Sequence, residues 1–137
     1  MNFQSIDHVV LRVRDLNGAV AFWRDVMLCP VAKFRPDLGL VHIRVGAALL
    51  DLIDVSGPLG GAGGEAPAER ARNMDHVCFR VEPFDPDAIR THLAAHGFAC
   101  QDPKQRFGAE GHGLSIYLTD PEGNGIELKG PSDGSKN

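Results

Sequence analysis

Several things are missing from this 137-residue chain. No apolar run approaches the roughly 18 to 20 residues of a membrane span, and the N-terminus has no signal-peptide pattern. A membrane partner and export are therefore not expected, and the reading is a cytoplasmic protein. An excess of either charge is missing too. The net charge of −4 makes no electrostatic case for nucleic acid or an anionic membrane. Disulfide chemistry has little to work with: the three cysteines, Cys29, Cys78 and Cys100, cannot all pair within one chain, and none lies in a CxxC. They read as reduced thiols.

What is present is many turns. Sixteen glycines and nine prolines suit short strands better than long helices. Ile6 to Val13 alternates Val9, Leu11 and Val13 against His8, Val10 and Arg12, which predicts a strand. Asp15 is placed to cap a helix reaching Met27 or Leu28, with Val20, Trp23 and Met27 as its stripe and Cys29-Pro30 as its end. Strands follow near Val31 to Arg35, at Leu40 to Val45, and at Ala48 to Val55, the last of which contains Asp51. Ser56 to Asn73, with Gly60-Gly-Ala-Gly-Gly64, reads as a flexible connector with room for a short helix at Pro67 to Arg72.

The second half starts again. Asp75-His-Val-Cys-Phe-Arg-Val81 repeats Asp7-His-Val-Val-Leu-Arg-Val13. A second helix is predicted over Pro86 to His96, with Ile89, Leu93 and Ala94 as its stripe and Gly97 as its stop. His92 and His96 read as solvated positions on it. A short strand at Phe98 to Gln101 and a polar loop from Asp102 to Gly113 follow. The loop is a candidate mobile cover for a site. Leu114 to Thr119 and Ile126 to Leu128 then form two strands around the turn Asp120-Pro-Glu-Gly-Asn-Gly125. Leu50-Asp-Leu52 matches Ile126-Glu-Leu128, so Asp51 is the internal counterpart of Glu127. Gly39 to Val45 pairs with Gly113 to Thr119, His42 meeting Ser115 and Arg44 meeting Tyr117, with one residue of slack in the flanks.

Two copies of a strand-helix-strand-strand-strand unit cannot each bury a sheet alone and should pack together. The fold class is α+β: two βαβββ modules, over residues 4–55 and 74–130, joined by the 56–73 connector, in one domain over residues 1–137 with a flexible tail at 131–137. The apolar sets face the helices. His8, His76, Ser115 and Tyr117 then face the other way, along with Asp51 and Glu127. Two imidazoles and one or two carboxylates suit a divalent metal: Zn, Ni, Mn, Co or Fe(II). A lone strand histidine is more often structural; two Asp-His copies at matching places shift that balance.

These residues resemble the vicinal oxygen chelate superfamily, which includes glyoxalases, bleomycin-resistance proteins and extradiol dioxygenases. The resemblance runs through Asp7-His8, Ala21-Phe-Trp-Arg-Asp-Val26, Asp75-His76 and Asp120 to Glu127, and is nearest to a glyoxalase-domain and "virulence-protein" branch. It implies a half-open barrel around a shared metal cleft, with His8, His76 and Glu127 as ligands. Asp51 falls at a fourth position, and Asp is short for direct ligation there.

The implied function is a metal-dependent lyase or isomerase acting on a small, oxygen-rich molecule that chelates the metal. Glu127 and Asp51 are the candidate bases and Tyr117 a candidate donor. Ser115, Tyr117, His42, Arg44 and Arg106 are candidate substrate contacts, with Arg12 and Arg80 as weaker ones. The alternatives are an Fe(II) extradiol dioxygenase, a thiol transferase acting on an antibiotic, and a drug-binding protein without catalysis. A homodimer is expected, and Gly57 to Gly64 would permit module pairing within one chain or between two.

Overall fold

The computed structural model describes residues 1–135. It divides into two compact units, Met1–Arg72 and Asn73–Asn137.

The first unit runs β1 (His8–Val13), α1 (Leu16–Ala21), β2 (Val31–Arg35), β3 (Leu40–Val45) and β4 (Ala48–Asp54). The strand order is β1-β4-β3-β2. β1 lies parallel to β4, as the helical crossover between them requires, and the hairpins pair antiparallel. The Asp15 side chain accepts from Gly18 N at the start of α1. The helix does not continue in regular form. Phe22–Val26 is a π-helical turn closed by Met27 N donating to Phe22 O at 3.0 Å. The wider turn lets the consecutive aromatics Phe22 and Trp23 both point inward, where both are buried, edge to face at 5.6 Å. Leu28 ends the turn at φ 58, one residue before the predicted Cys29-Pro30 stop.

The second unit repeats the plan with β5 (His76–Arg80), α2 (Pro86–Ala95), β6 (Lys104–Gly108), β7 (Gly111–Thr119) and β8 (Gly125–Lys129), in the order β5-β8-β7-β6. Asp85 caps α2 by accepting from Asp87 N and Ala88 N. Leu93 anchors the helix in the core, whereas Ala94 is exposed and His92 half-buried. Two βαβββ units are therefore present, as the repeat predicts. Among the described residues no helix is long and apolar enough to cross a membrane.

Several local expectations change. Pro67 to Arg72 is not helical; the short helix in the connector is a 3-10 turn at Gly60–Gly63. The connector is also tied down. The Arg12 guanidinium donates to the carbonyls of Gly60 and Glu65 at 3.0 and 2.9 Å and to that of Gly64, and Arg14 donates to Pro67 O. Arg12 thus braces the connector backbone. Phe98 to Gln101 contributes one bridge, Cys100 to Leu118, and no strand. The polar stretch from Asp102 to Gly113 is mostly sheet: β6 pairs with β7 from Lys104↔Ser115 to Gly108↔Gly111. Backbone pairing holds this edge strand without an apolar alternation, which is why the sequence reads as a loop.

Past β8 the described tail makes contacts with the β6-β7 hairpin. Asp133 N donates to His112 O at 2.8 Å, and Gln105 Nε2 donates to the Asp133 carboxylate. Residues 136 and 137 lie outside the described residues.

Strand pairing also corrects the internal alignment. His42 lies opposite Asp51, and Tyr117 lies opposite Glu127. Tyr117 is therefore the counterpart of His42, and Ser115 that of Leu40. The span from Tyr117 to Glu127 is one residue longer than that from His42 to Asp51, and the strand register, not the match of Gly39 to Gly113, fixes the correspondence.

Candidate functional site

In β8, Ile126 and Leu128 turn to one face, leaving Glu127 and Lys129 on the other. Pairing on both sides places Cys78 and Tyr117 beside Glu127. The register is held by the preceding turn. Buried Asp120 accepts from Glu122 N and Asn124 N at 2.9 and 2.7 Å through Oδ1, and from Asn124 Nδ2 at 2.9 Å through Oδ2. The Asp-Pro-Glu-Gly-Asn sequence is thus a clamp that sets where Glu127 falls.

Around Glu127 the second unit assembles a compact polar cluster. His76 Nε2 lies 3.0 Å from Glu127 Oε2, and His76 Nδ1 lies 2.7 Å from Asp75 Oδ2. The Tyr117 ring meets His76 edge to face at 5.5 Å. Arg106 Nε donates to Tyr117 Oη at 3.2 Å, and its guanidinium lies 5.7 Å from the ring centroid. Ser115 Oγ is fully buried with no hydrogen-bond partner among the described residues, though it stands near enough to help stabilise the Glu127 anion.

Burial pushes the Glu127 carboxyl up. The nearby Ser115 and Tyr117 hydroxyls, the His76 charge and the Cys78 thiol outweigh it, so Glu127 lies below the usual glutamate value. It is a carboxylate held in its charged form although only 5% exposed. The Tyr117 phenol is raised, chiefly by burial and further by Glu127, against the pull of Arg106. Burial, together with Glu127, pushes the Cys78 thiol up to about 11. A thiol raised in this way holds its proton near neutral pH, which favours a wall residue over a nucleophile. Glu127 and Cys78 border a cavity of about 390 Å³, lined also by His76, Arg80 and Lys129 and by the 107–110 tip of the β6-β7 hairpin.

In the first unit the corresponding strand carries Asp51, 6% exposed, between Val10 and His42. Asp51 Oδ1 is 2.6 Å from His42 Nδ1. His8 Nδ1 is 2.7 Å from Asp7 Oδ1, and this bond is the main reason its pKa is raised, with the Asp51 charge adding to it. Arg44 reaches only the carbonyls of its own turn, Ala47 and Ala48, at 3.4 and 3.5 Å. Arg80 is held by Glu110 at 2.7 Å and Glu82 at 3.0 Å.

The second unit therefore gathers His76, Glu127, Tyr117, Ser115 and Arg106 from the predicted set, and the first unit gathers Asp51 and His42 with His8 nearby in charge. Arg44 joins neither group. Lys129, on the Glu127 face of β8, was not singled out by sequence. Its signal was its place two residues after Glu127, which sets it on the same face.

Residues 5–128 match the family model described as the Glyoxalase/Bleomycin resistance protein/Dioxygenase superfamily. The chain belongs to this superfamily. It is 28% identical over 129 residues to virulence protein STM3117 of Salmonella typhimurium, covering 93% of this chain and 85% of that protein. The crystal structure of that protein superposes with a TM-score of 0.76 at 25% identity, covering 96% of this chain and all of the other. The glyoxalase domain-containing protein RDO1 of Mycosarcoma maydis is 28% identical over 138 residues, covering 97% of this chain and 72% of that one. Lactoylglutathione lyase from Agrobacterium tumefaciens superposes with a TM-score of 0.68 at 26% identity, covering 95% and 96% of the two chains.

Members of the superfamily commonly use a divalent metal, and the donor chemistry here fits one. In both Asp-His pairs the carboxylate engages Nδ1 and turns Nε2 away from it, the arrangement that orients metal-binding histidines; in His76 that Nε2 meets Glu127 Oε2 at 3.0 Å. Glu127 supplies an anionic oxygen beside the His76 nitrogen. Among the described residues no group of three or more His, Cys, Asp or Glu is gathered to hold a metal. His76 and Glu127 are a pair within one unit, and His8, the remaining predicted ligand, belongs to the other.

Proposed function

We propose that this chain is a metal-dependent, glyoxalase-like enzyme acting on a small oxygen-rich substrate, with His8, His76 and Glu127 as metal ligands. The observation that carries the proposal is the Asp75–His76–Glu127 line, with contacts of 2.7 and 3.0 Å. It presents a buried carboxylate and an oriented imidazole to the same cavity. The likeness to a lactoylglutathione lyase and to a glyoxalase domain-containing protein supports the lyase or isomerase class.

A bound divalent ion supplies Lewis acidity towards substrate oxygens. The chain's own groups do the rest. Asp7 and Asp75 hold the histidine rings in one orientation. Tyr117, backed by Arg106, faces the carboxylate as a hydrogen-bond donor whose raised pKa keeps its proton in place. The Asp51–His42 pair is a second acid–base unit at the symmetry-related position, with His42 oriented by the carboxylate. Asp51 is committed to His42, which favours a proton-handling role over ligation. The proposal includes one domain made of both units, a shared cleft, a homodimer, and a cytoplasmic setting in keeping with three free cysteines.

The test is the metal content of protein purified without chelator, beside His8→Ala and Glu127→Ala. Stoichiometric metal in the wild type, lost in both variants, is expected. Nickel, zinc or manganese would direct substrate screening to lyases and isomerases, and iron to ring-cleaving dioxygenases. A folded wild type that takes up none of these ions overturns the proposal in favour of a binding protein.

A further inference from the structure

Lys129 is an unusual residue for the middle of a sheet. Its side chain is on the Glu127 face of β8 and is only 6% exposed. Removing an ammonium from water is costly unless its donors and its charge are both answered. The donors are answered in part. Nζ donates to Arg106 O at 2.6 Å and to Gly113 O at 3.2 Å, two of the three bonds an ammonium can make. The charge is not answered directly, because among the described residues no carboxylate forms an ion pair with it.

The structure builds a slot for this side chain. A Cβ on Gly108 would lie 2.6 Å from Lys129 Cε; one on Gly113 would meet the Pro131 carbonyl oxygen first and then Nζ at 3.1 Å. Gly108 has no positive φ, so the turn does not demand a glycine there; the lysine stem does. The slot opens on the cavity of about 390 Å³ that Lys129 lines together with His76, Cys78 and Glu127. The other cation on that wall, Arg80, is already paired with Glu110 and Glu82.

We propose that Lys129 is the anchor of an anion subsite in this cavity, and that it takes a carboxylate or phosphonate group of the substrate. The substrate class is thereby narrowed to a molecule with chelating oxygens at one end and an anionic group at the other. The third N–H of Lys129 makes the contact, and the space left by Gly108 keeps the ammonium at the wall. This deepens the reading of the site given above, and its test fails separately.

Methylphosphonate and acetate are titrated into the ¹⁵N-labelled full-length protein, as purified and after chelator treatment, and followed by amide shifts. Saturable shifts at residues 106–113 and 127–130 are expected in both preparations. Affinity should fall about tenfold or more in Lys129→Met, the loss of one charge-assisted hydrogen bond. Gly108→Ala should weaken binding too, because it displaces the stem while keeping the charge. Glu127→Gln should lose metal yet keep anion binding. No saturable shift in the wild type overturns the subsite, as does equal affinity in a folded Lys129→Met. If Lys129→Met does not fold, unchanged affinity in Gly108→Ala overturns it. Lys129-dependent binding in a protein that takes no metal would uphold the subsite and sink the metalloenzyme.

Discussion

The two units share a topology and part with it in their use of one position. In both, the central strand carries a buried carboxylate next to the parallel strand that begins with Asp-His. In the first unit that carboxylate is Asp51, and its partner is His42 on the hairpin strand. In the second it is Glu127, and its partner is His76 on the parallel strand, with Tyr117 in the place of His42. One extra methylene and one exchanged neighbour turn the carboxylate from one histidine to another. Under the proposed function, a repeated fold would thus offer a metal donor pair in one copy and a proton-transfer pair in the other.

The cores differ as well. The first unit buries Phe22, Trp23 and Val26 from the π turn, whereas Leu93 is the one buried hydrophobic residue of α2. Trp23→Ala should therefore cost about 3–5 kcal/mol of unfolding free energy, and Leu93→Ala about 2–4 kcal/mol. Denaturant titration with two probes checks this, and equal costs would remove the difference in helix anchoring.

At the carboxylates, Glu127→Gln should lower divalent-metal affinity about a hundredfold or more, whereas Asp51→Asn should leave it within about threefold. Competition with a chelating dye measures both. Equal losses would make Asp51 a ligand and cancel the contrast drawn here. The aspartates behind the histidines offer a finer comparison. Asp75→Asn and Asp7→Asn should each weaken metal binding about 10- to 100-fold, as expected for carboxylates that orient a ligand histidine. An effect in one alone would mean that only that unit contributes its histidine.

The smallest effect lies at the end of the second unit. Asp133, bonded to the Ser135 hydroxyl and amide and to Gln105, has its carboxyl lowered to about 2. A depressed pKa contributes stability above the unfolded value near 3.8 that is lost as pH falls towards about 2. The amide of Asp133, bonded to His112 O, should keep its chemical shift down to pH 4 and change below it. A change near pH 5 would show that the tail anchor is not built as described.

Much of this was legible because strands and capped helices are written locally. His8 and His76 stand out through the repeated Asp-His-Val motif, and Asp120 to Gly125 through the density of turn residues. β6 was not legible, because Lys104-Gln-Arg-Phe-Gly108 has no alternation to mark it; its strand character comes from pairing with β7. The π turn was hidden because α and π turns bury similar residues until two adjacent aromatics must both face inward.

The amino-acid sequence by itself determined the repeat, the βαβββ order, the superfamily resemblance and the identity of Glu127 as the central carboxylate, since these follow from side-chain period and turn chemistry. Only the tertiary structure decided which histidine each carboxylate holds, that Arg12 and Arg80 are already engaged, and that Lys129 stands at the cavity wall. Those outcomes depend on cross-strand register and on the space left by glycines, and both are set by residues distant in sequence coming within a few ångströms of one another.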